Sequence, residues 1–297
     1  MRTTFLTLFA VAFLFACGKK GDDSAQIIAQ LEADYNAAYT PAKAKKLIEA
    51  YREAAKKQPE NHALNLQYLT KAAAIQFTKI DDAVSACRWL DEAVAHHAEG
   101  QNLTDAVGLY AQIWNSYLYK AAPAVRLDPD DIDKMRANLT KNAVWMDSSL
   151  VRLDKVMSAN PTAIDKSVAK KYIEIAEAAA NIAKPSNPDK YVDLTMRAAA
   201  VAKTVENFNK ATSLYFNIQH ELPAHPKAPT ALFMMGFVYE NDLQDLPKAK
   251  ATYEEFLQRF PSDKDYADDA QMALKNLGKS PEELIKEFER QNPKSKN

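Results

Sequence analysis

The sequence predicts an all-α fold of antiparallel helix pairs stacked one on the next, and three observations lead there. Only 6 of the 297 residues are glycine, and Gly18 and Gly21 precede the first helical pattern; no alternating run of β-branched and aromatic residues bounded by turn residues reads as a strand. Proline stands where helices begin. Thr40-Pro41, Asp128-Pro129, Asn160-Pro161, Asn187-Pro188 and Ser280-Pro281 each place a side-chain acceptor before a residue whose missing N–H costs nothing in the first turn. Finally, one pattern recurs: Ala211, Tyr215, Ile218 and Pro223 return 38 residues later as Ala249, Tyr253, Phe256 and Pro261.

Along the chain, Arg2 is followed by an apolar run from Phe5 to Phe15 and then Ala16. The run is shorter than the roughly 20 residues a membrane-spanning helix needs. Residues 1–16 therefore read as an export signal that is removed. Leu14, Phe15, Ala16 and Cys17 resemble the lipobox of bacterial lipoproteins, with Phe15 where a smaller residue is usual. The resemblance implies lipid on Cys17, cleavage just before it and a flexible tether over 17–25. A single acyl chain holds a protein only marginally, at about 0.8 kcal/mol per buried methylene, so several chains on one cysteine matter. Gly18 directly after the cysteine resembles outer-membrane sorting, whereas Asp22 and Asp23 resemble surface-export tethers; the face of the membrane stays open. With Cys17 acylated, Cys87 has no partner within the chain and reads as a small buried hydrophobe.

Residues 26–187 read as divergent helical repeats. Leu47, Tyr51, Ala54 and Pro59 form a weak copy of the recurring pattern, and long apolar periodicities follow around Trp89, Trp114, Tyr117, Trp145 and Met157. Residues 188–291 carry the pattern in full. There Leu232, Met235, Gly236 and Tyr239 are followed by Ala249, Tyr253, Phe256 and Pro261, which resembles the tetratricopeptide repeat. Leu232 takes the place of the usual Trp, and one extra residue separates Tyr239 from Ala249. The 38-residue spacing is similar to the extended repeats of two envelope families, the periplasmic coordinator of the Tol-Pal system and the lipoprotein subunit of the outer-membrane barrel-assembly machine.

The resemblance implies a right-handed α-solenoid of about a dozen helices with a concave surface. Gly236 and Ala249 are expected to let two helices cross closely, Tyr239, Tyr253 and Phe256 to fill the gap, and Pro261 to end the second helix. In the upstream unit Ala211, Tyr215, Ile218 and Pro223 take the same places. Ser280 and Glu283 form a capping box; the helix from Ser280 to Gln291 is expected to be a polar cap, and residues 292–297 a disordered tail.

Catalytic chemistry finds no foothold in the sequence. No glycine cluster suits a phosphate loop, and no Gly-x-Ser-x-Gly element or Cys and His signature presents a nucleophile. His96 and His97 are adjacent on a helix and point about 100° apart, and His62, His220 and His225 lack ligand neighbours at helical spacing, so no metal site is expected. Asp128, Asp130, Asp131 and Asp133 lack the central glycine and terminal glutamate of a calcium loop and read as a helix start. Lys and Arg total 38 against 39 Asp and Glu, which gives no reason to expect nucleic acid. The reading is a non-enzymatic, cofactor-free scaffold in the cell envelope that is attached to the outer membrane by lipid and binds a protein or extended peptide. Its alternative is a glycan- or nutrient-binding lipoprotein partnering an outer-membrane transporter.

Overall fold

A computed structural model describes residues 23–97, 102–119, 128–141 and 143–291. The export signal, Cys17, most of the tether and the tail from 292 lie outside these residues. The described chain is an all-α solenoid of stacked helix pairs, with α1 (Ser24–Ala37), α2 (Pro41–Lys57), α3 (His62–Ile75), α4 (Ala83–His97) and α5 (Leu103–Ile113) in its first part. There follow α6 (Pro129–Lys141), α7 (Ala143–Ala159), α8 (Lys166–Ala183), α9 (Pro188–Thr204) and α10 (Phe208–Glu221). The last four are α11 (Ala228–Phe237), α12 (Leu246–Arg259), α13 (Ala267–Asn276) and α14 (Pro281–Gln291). Helix α1 begins two residues inside the stretch expected to be tether.

Most helix starts follow the capping logic. Thr40 Oγ1 accepts from Lys43 N at 3.2 Å, Asn187 Oδ1 from Lys190 N at 3.0 Å, and Asp128 Oδ1 from Asp130 N at 2.8 Å. Ser280 and Glu283 bond reciprocally, at 2.8 and 3.2 Å. Asn160-Pro161 departs from expectation: it follows the end of α7, and α8 starts five residues later on Asp165, which accepts from Ser167 N and Val168 N at 2.7 and 3.2 Å. An acceptor followed by proline also suits a chain leaving a helix, because proline cannot continue it. With glycine scarce, left-handed backbone at Asp81, Glu206 and Gln244 turns the chain between helices.

Consecutive helices pack from α1 to α5 and again from α7 to α13. Helices α6 and α7 make an excursion, and α5 closes directly onto α8. The contact surfaces are lined with alanine: Ala72, Ala86, Ala106, Ala169, Ala198, Ala211 and Ala249 have no exposed surface. Small residues on facing sides bring helix axes to about 8–10 Å. The remaining volume goes to large aromatics, and Tyr110, Tyr172, Tyr191, Tyr215, Tyr253 and Phe256 are the largest fully buried side chains.

Two of these tyrosines, and Tyr51 on α2, end on carboxylates from a neighbouring helical segment. Tyr51 Oη donates to Glu32 Oε1 at 2.5 Å, Tyr253 Oη to Glu240 Oε2 at 2.8 Å, and Tyr110 Oη to Asp91. Lysines tie helices of successive layers, Lys184 to Glu221 at 2.6 Å, Lys210 to Glu177 at 2.5 Å and Lys227 to Asp193 at 2.5 Å. The final helix corrects the polar-cap expectation. Ile285 and Phe288 on α14 are 59% and 63% exposed, beside Met272 of α13.

Two of these half-buried carboxylates respond oppositely to their surroundings. Burial works to raise the Glu32 carboxyl, but hydrogen bonds from Lys71, at 2.7 Å, and Tyr51 outweigh it and hold it below its ordinary value. At Asp91 burial dominates, the bonds from Tyr110 and Asn138 offset it only in part, and the carboxyl is raised. Ionised Glu32 therefore stabilises the fold above its unfolded pKa near 4.5, and that contribution is lost as pH falls. Ionised Asp91 costs stability at neutral pH, and the cost disappears on acidification. Glu32→Gln is expected to lower Tm at pH 7 by an amount equivalent to about 1 kcal/mol and to have little effect at pH 3. Asp91→Asn should leave Tm unchanged or raise it at pH 7. Scanning calorimetry at the two pH values checks both, and an equal loss in the two variants would contradict the assignment.

Candidate functional site

The repeat signature sits where α11 crosses α12. A Cβ added at Gly236 would lie 2.7 Å from Tyr253 Cε1, so the glycine is the space into which that ring packs. Leu232, Met235, Ala249, Tyr253 and Phe256 are buried there. Ala211, Tyr215 and Ile218 are buried on α10, while Pro223 and Pro261 are exposed just beyond the ends of α10 and α12. Tyr239 differs from expectation. It is only half-buried, with Lys248 Nζ 5.4 Å above its ring. The place foreseen for it is taken by Phe233, whose ring stacks on Tyr266 at 4.6 Å and meets Phe256 at 6.0 Å.

Side chains from distant parts of the chain converge on a cavity of about 530 Å³ between α5, α8 and α10. Phe77 contributes an aromatic wall from the π-helical segment Gln76–Ile80 that continues α3. Gln112 and Asn115 come from the end of α5 and the π-helical segment Trp114–Tyr119. Both are oriented by Glu174 on α8: Gln112 Nε2 donates to its carboxylate at 2.8 Å and Asn115 Nδ2 to its carbonyl at 3.0 Å. Asn207 occupies the N-cap position of α10 without capping the helix through its side chain, and lines the cavity instead.

Charge in this cavity is balanced locally. Lys210 is held by Glu177 at 2.5 Å, and Lys170 lies 3.8 Å from Glu174. What the cavity offers is therefore hydrogen bonding rather than net charge. Asn115 Oδ1 and, on the same π-helical segment, Trp114 Nε1 are buried without a hydrogen-bond partner. Such atoms are uncommon because desolvation costs them free energy, and widened helical turns recur at functional sites.

A second cavity, of about 360 Å³, lies further along α10. Thr212, Ser213 and Phe216 line it from α10, Tyr239 and Lys248 from the next pair. Phe216 is 53% exposed and stacks on His220, with ring centroids 5.8 Å apart. Elsewhere, His62, which has no ligand neighbour at helical spacing, comes into contact with His97 at 2.9 Å between their Nδ1 atoms. No helix spacing could have announced this contact, since 35 residues separate the pair.

Residues 230–263 match the family model described as tetratricopeptide repeat. The matched segment runs from the first turn of α11 to the turn after α12, so this unit has tetratricopeptide-repeat character. Repeats of this kind generally mediate protein–protein interaction and typically build non-catalytic scaffolds. A search of curated proteins finds no match.

Because Gly236 faces the Tyr253 ring, Gly236→Leu is expected to force α11 and α12 apart at a cost of about 1–3 kcal/mol. Thermal denaturation followed by circular dichroism measures this, and an unchanged Tm would show that the crossing does not depend on the glycine.

Proposed function

We propose that the protein is a lipid-anchored interaction scaffold of the bacterial cell envelope, acting in outer-membrane or cell-wall assembly, and that its α5–α8–α10 groove receives an extended segment of a partner protein. The observation that carries this reading is the charge-balanced, hydrogen-bonding cavity lined by Gln112, Asn115 and Asn207, followed along α10 by a second cavity bearing Phe216. An extended polypeptide presents N–H and C=O groups along its length, and a side chain at suitable spacing can meet the exposed aromatic ring. Affinity in such sites comes from a few anchors surrounded by near-neutral contacts. The overall charge of −1 fits a protein partner better than nucleic acid.

The envelope assignment rests on residues 1–17, read as an export signal ending in a lipobox at Cys17. No helix among the described residues is long and apolar enough to cross a membrane. In this reading the lipid supplies attachment. Cys17→Ser is expected to move the protein from the membrane to the soluble fraction and to abolish incorporation of labelled palmitate; incorporation that persists would contradict lipidation.

The groove is tested by selecting peptides from a displayed library on the full chain and measuring their affinity for variants. Asn115→Ala and Asn207→Ala are each expected to weaken the selected peptides by about tenfold, corresponding to about 1.4 kcal/mol. A variant on the far end, Asp268→Ala, should not. Peptides insensitive to both groove variants would place docking elsewhere, and calorimetric binding of soluble oligosaccharides in place of peptides would favour the glycan-binding alternative.

A further inference from the structure

Three of the chain's five histidines gather around one cavity of about 340 Å³, remote from the groove. His62 is the first residue of α3 and His97 the last of α4. Their Nδ1 atoms are 2.9 Å apart and their ring centroids 5.2 Å, and the His96 ring centroid lies 6.2 Å from that of His97. Glu60 and Glu92 reach the same cavity. Glu92 and His96 are four residues apart on α4, the spacing that puts two side chains on one helix face. The cavity's lysine, Lys56, is engaged by Glu53 at 2.9 Å.

Two facing imidazole nitrogens can share one proton or one cation. Ligands about 2.0–2.1 Å from a tetrahedral zinc ion are themselves about 3.3 Å apart, so a cation needs the rings to separate by only a few tenths of an ångström. Among the described residues no three His, Cys, Asp or Glu side chains are already arranged around one point. The pair supplies two ligands; Glu92 and His96, exposed at the same cavity, would have to rotate toward it to supply a third. Imidazole with carboxylate suits zinc, nickel or copper rather than magnesium or calcium, which take oxygen ligands.

We propose that His62 and His97, supported by Glu92 and His96, bind a divalent transition cation of the zinc type that staples the start of α3 to the end of α4. The bound ion would hold two helices of the N-terminal half together without a disulfide. This inference does not depend on what occupies the groove.

The test is calorimetric titration of the metal-free full chain with zinc chloride. One ion per chain is expected, with a rise in Tm, and no response to magnesium chloride. His97→Ala and His62→Ala should each weaken binding about tenfold or more and abolish the Tm rise, whereas His220→Ala should change neither. His97→Gln, checked for helix content by circular dichroism, separates ligand loss from misfolding, because it retains a hydrogen-bonding side chain and should still lose zinc. Absence of zinc binding, binding that survives the His62→Ala/His97→Ala double variant, or equal loss on His220→Ala would overturn the site.

Discussion

Everything in this structure depends on helices approaching closely enough that no single pair has to be stable alone. The approach is set by alanines with no exposed surface, Ala106 on α5, Ala169 and Ala176 on α8, Ala198 on α9 and Ala211 on α10 among them. An isolated pair of helices of 10 to 18 residues would leave one of its faces in water, and short isolated helices are marginal. Stacking covers that face with the next pair, so stability accrues between neighbours along the array. The large buried tyrosines do the complementary task. They fill what alanine leaves open, and the hydroxyls of Tyr51, Tyr110 and Tyr253 reach carboxylates, so these polar groups are buried without being stranded.

The polar tier has unequal energetic meaning. Cross-layer pairs such as Lys227–Asp193 are more than half exposed on both sides and contribute little. Glu32, gripped by Tyr51 and Lys71, and Asp91, more buried and raised, show that one arrangement can stabilise or burden the fold according to how far desolvation outruns hydrogen bonding. The excursion follows from the same economy of surfaces: α5 and α7 both pack on α8, while α6 makes only smaller contacts with α4, α7 and the π-helical segment after α5.

Much of the architecture was legible from local rules, because capping and small-residue spacing act within a few residues. Thr40, Asn187 and Ser280 cap helices as their sequence context requires, and the 38-residue recurrence maps onto α9–α10 and α11–α12. Where a local cue suits both an entry and an exit, as at Asn160-Pro161, sequence alone had no way to choose. The α14 cap was misjudged for a different reason: counting its charges hid Leu284, Ile285 and Phe288, which share one helix face. The groove was not legible at all, since Phe77, Asn115, Glu174 and Asn207 lie on separate elements and meet only through stacking. The π-helical turns beside it, the His62–His97 contact and the exchange of Phe233 for Tyr239 are likewise products of tertiary packing rather than of periodicity.

Cys87 illustrates a consequence of this kind of packing. It is 2% exposed on α4, and burial, with Asp91 nearby, pushes its thiol well above the ordinary range, so in the closed array it is a poor nucleophile. Its reactivity is governed by how often α4 detaches from its neighbours. The rate at which an alkylating reagent finds that sulfur thus becomes a clock for breathing of the N-terminal half, already wired into the molecule at one atom.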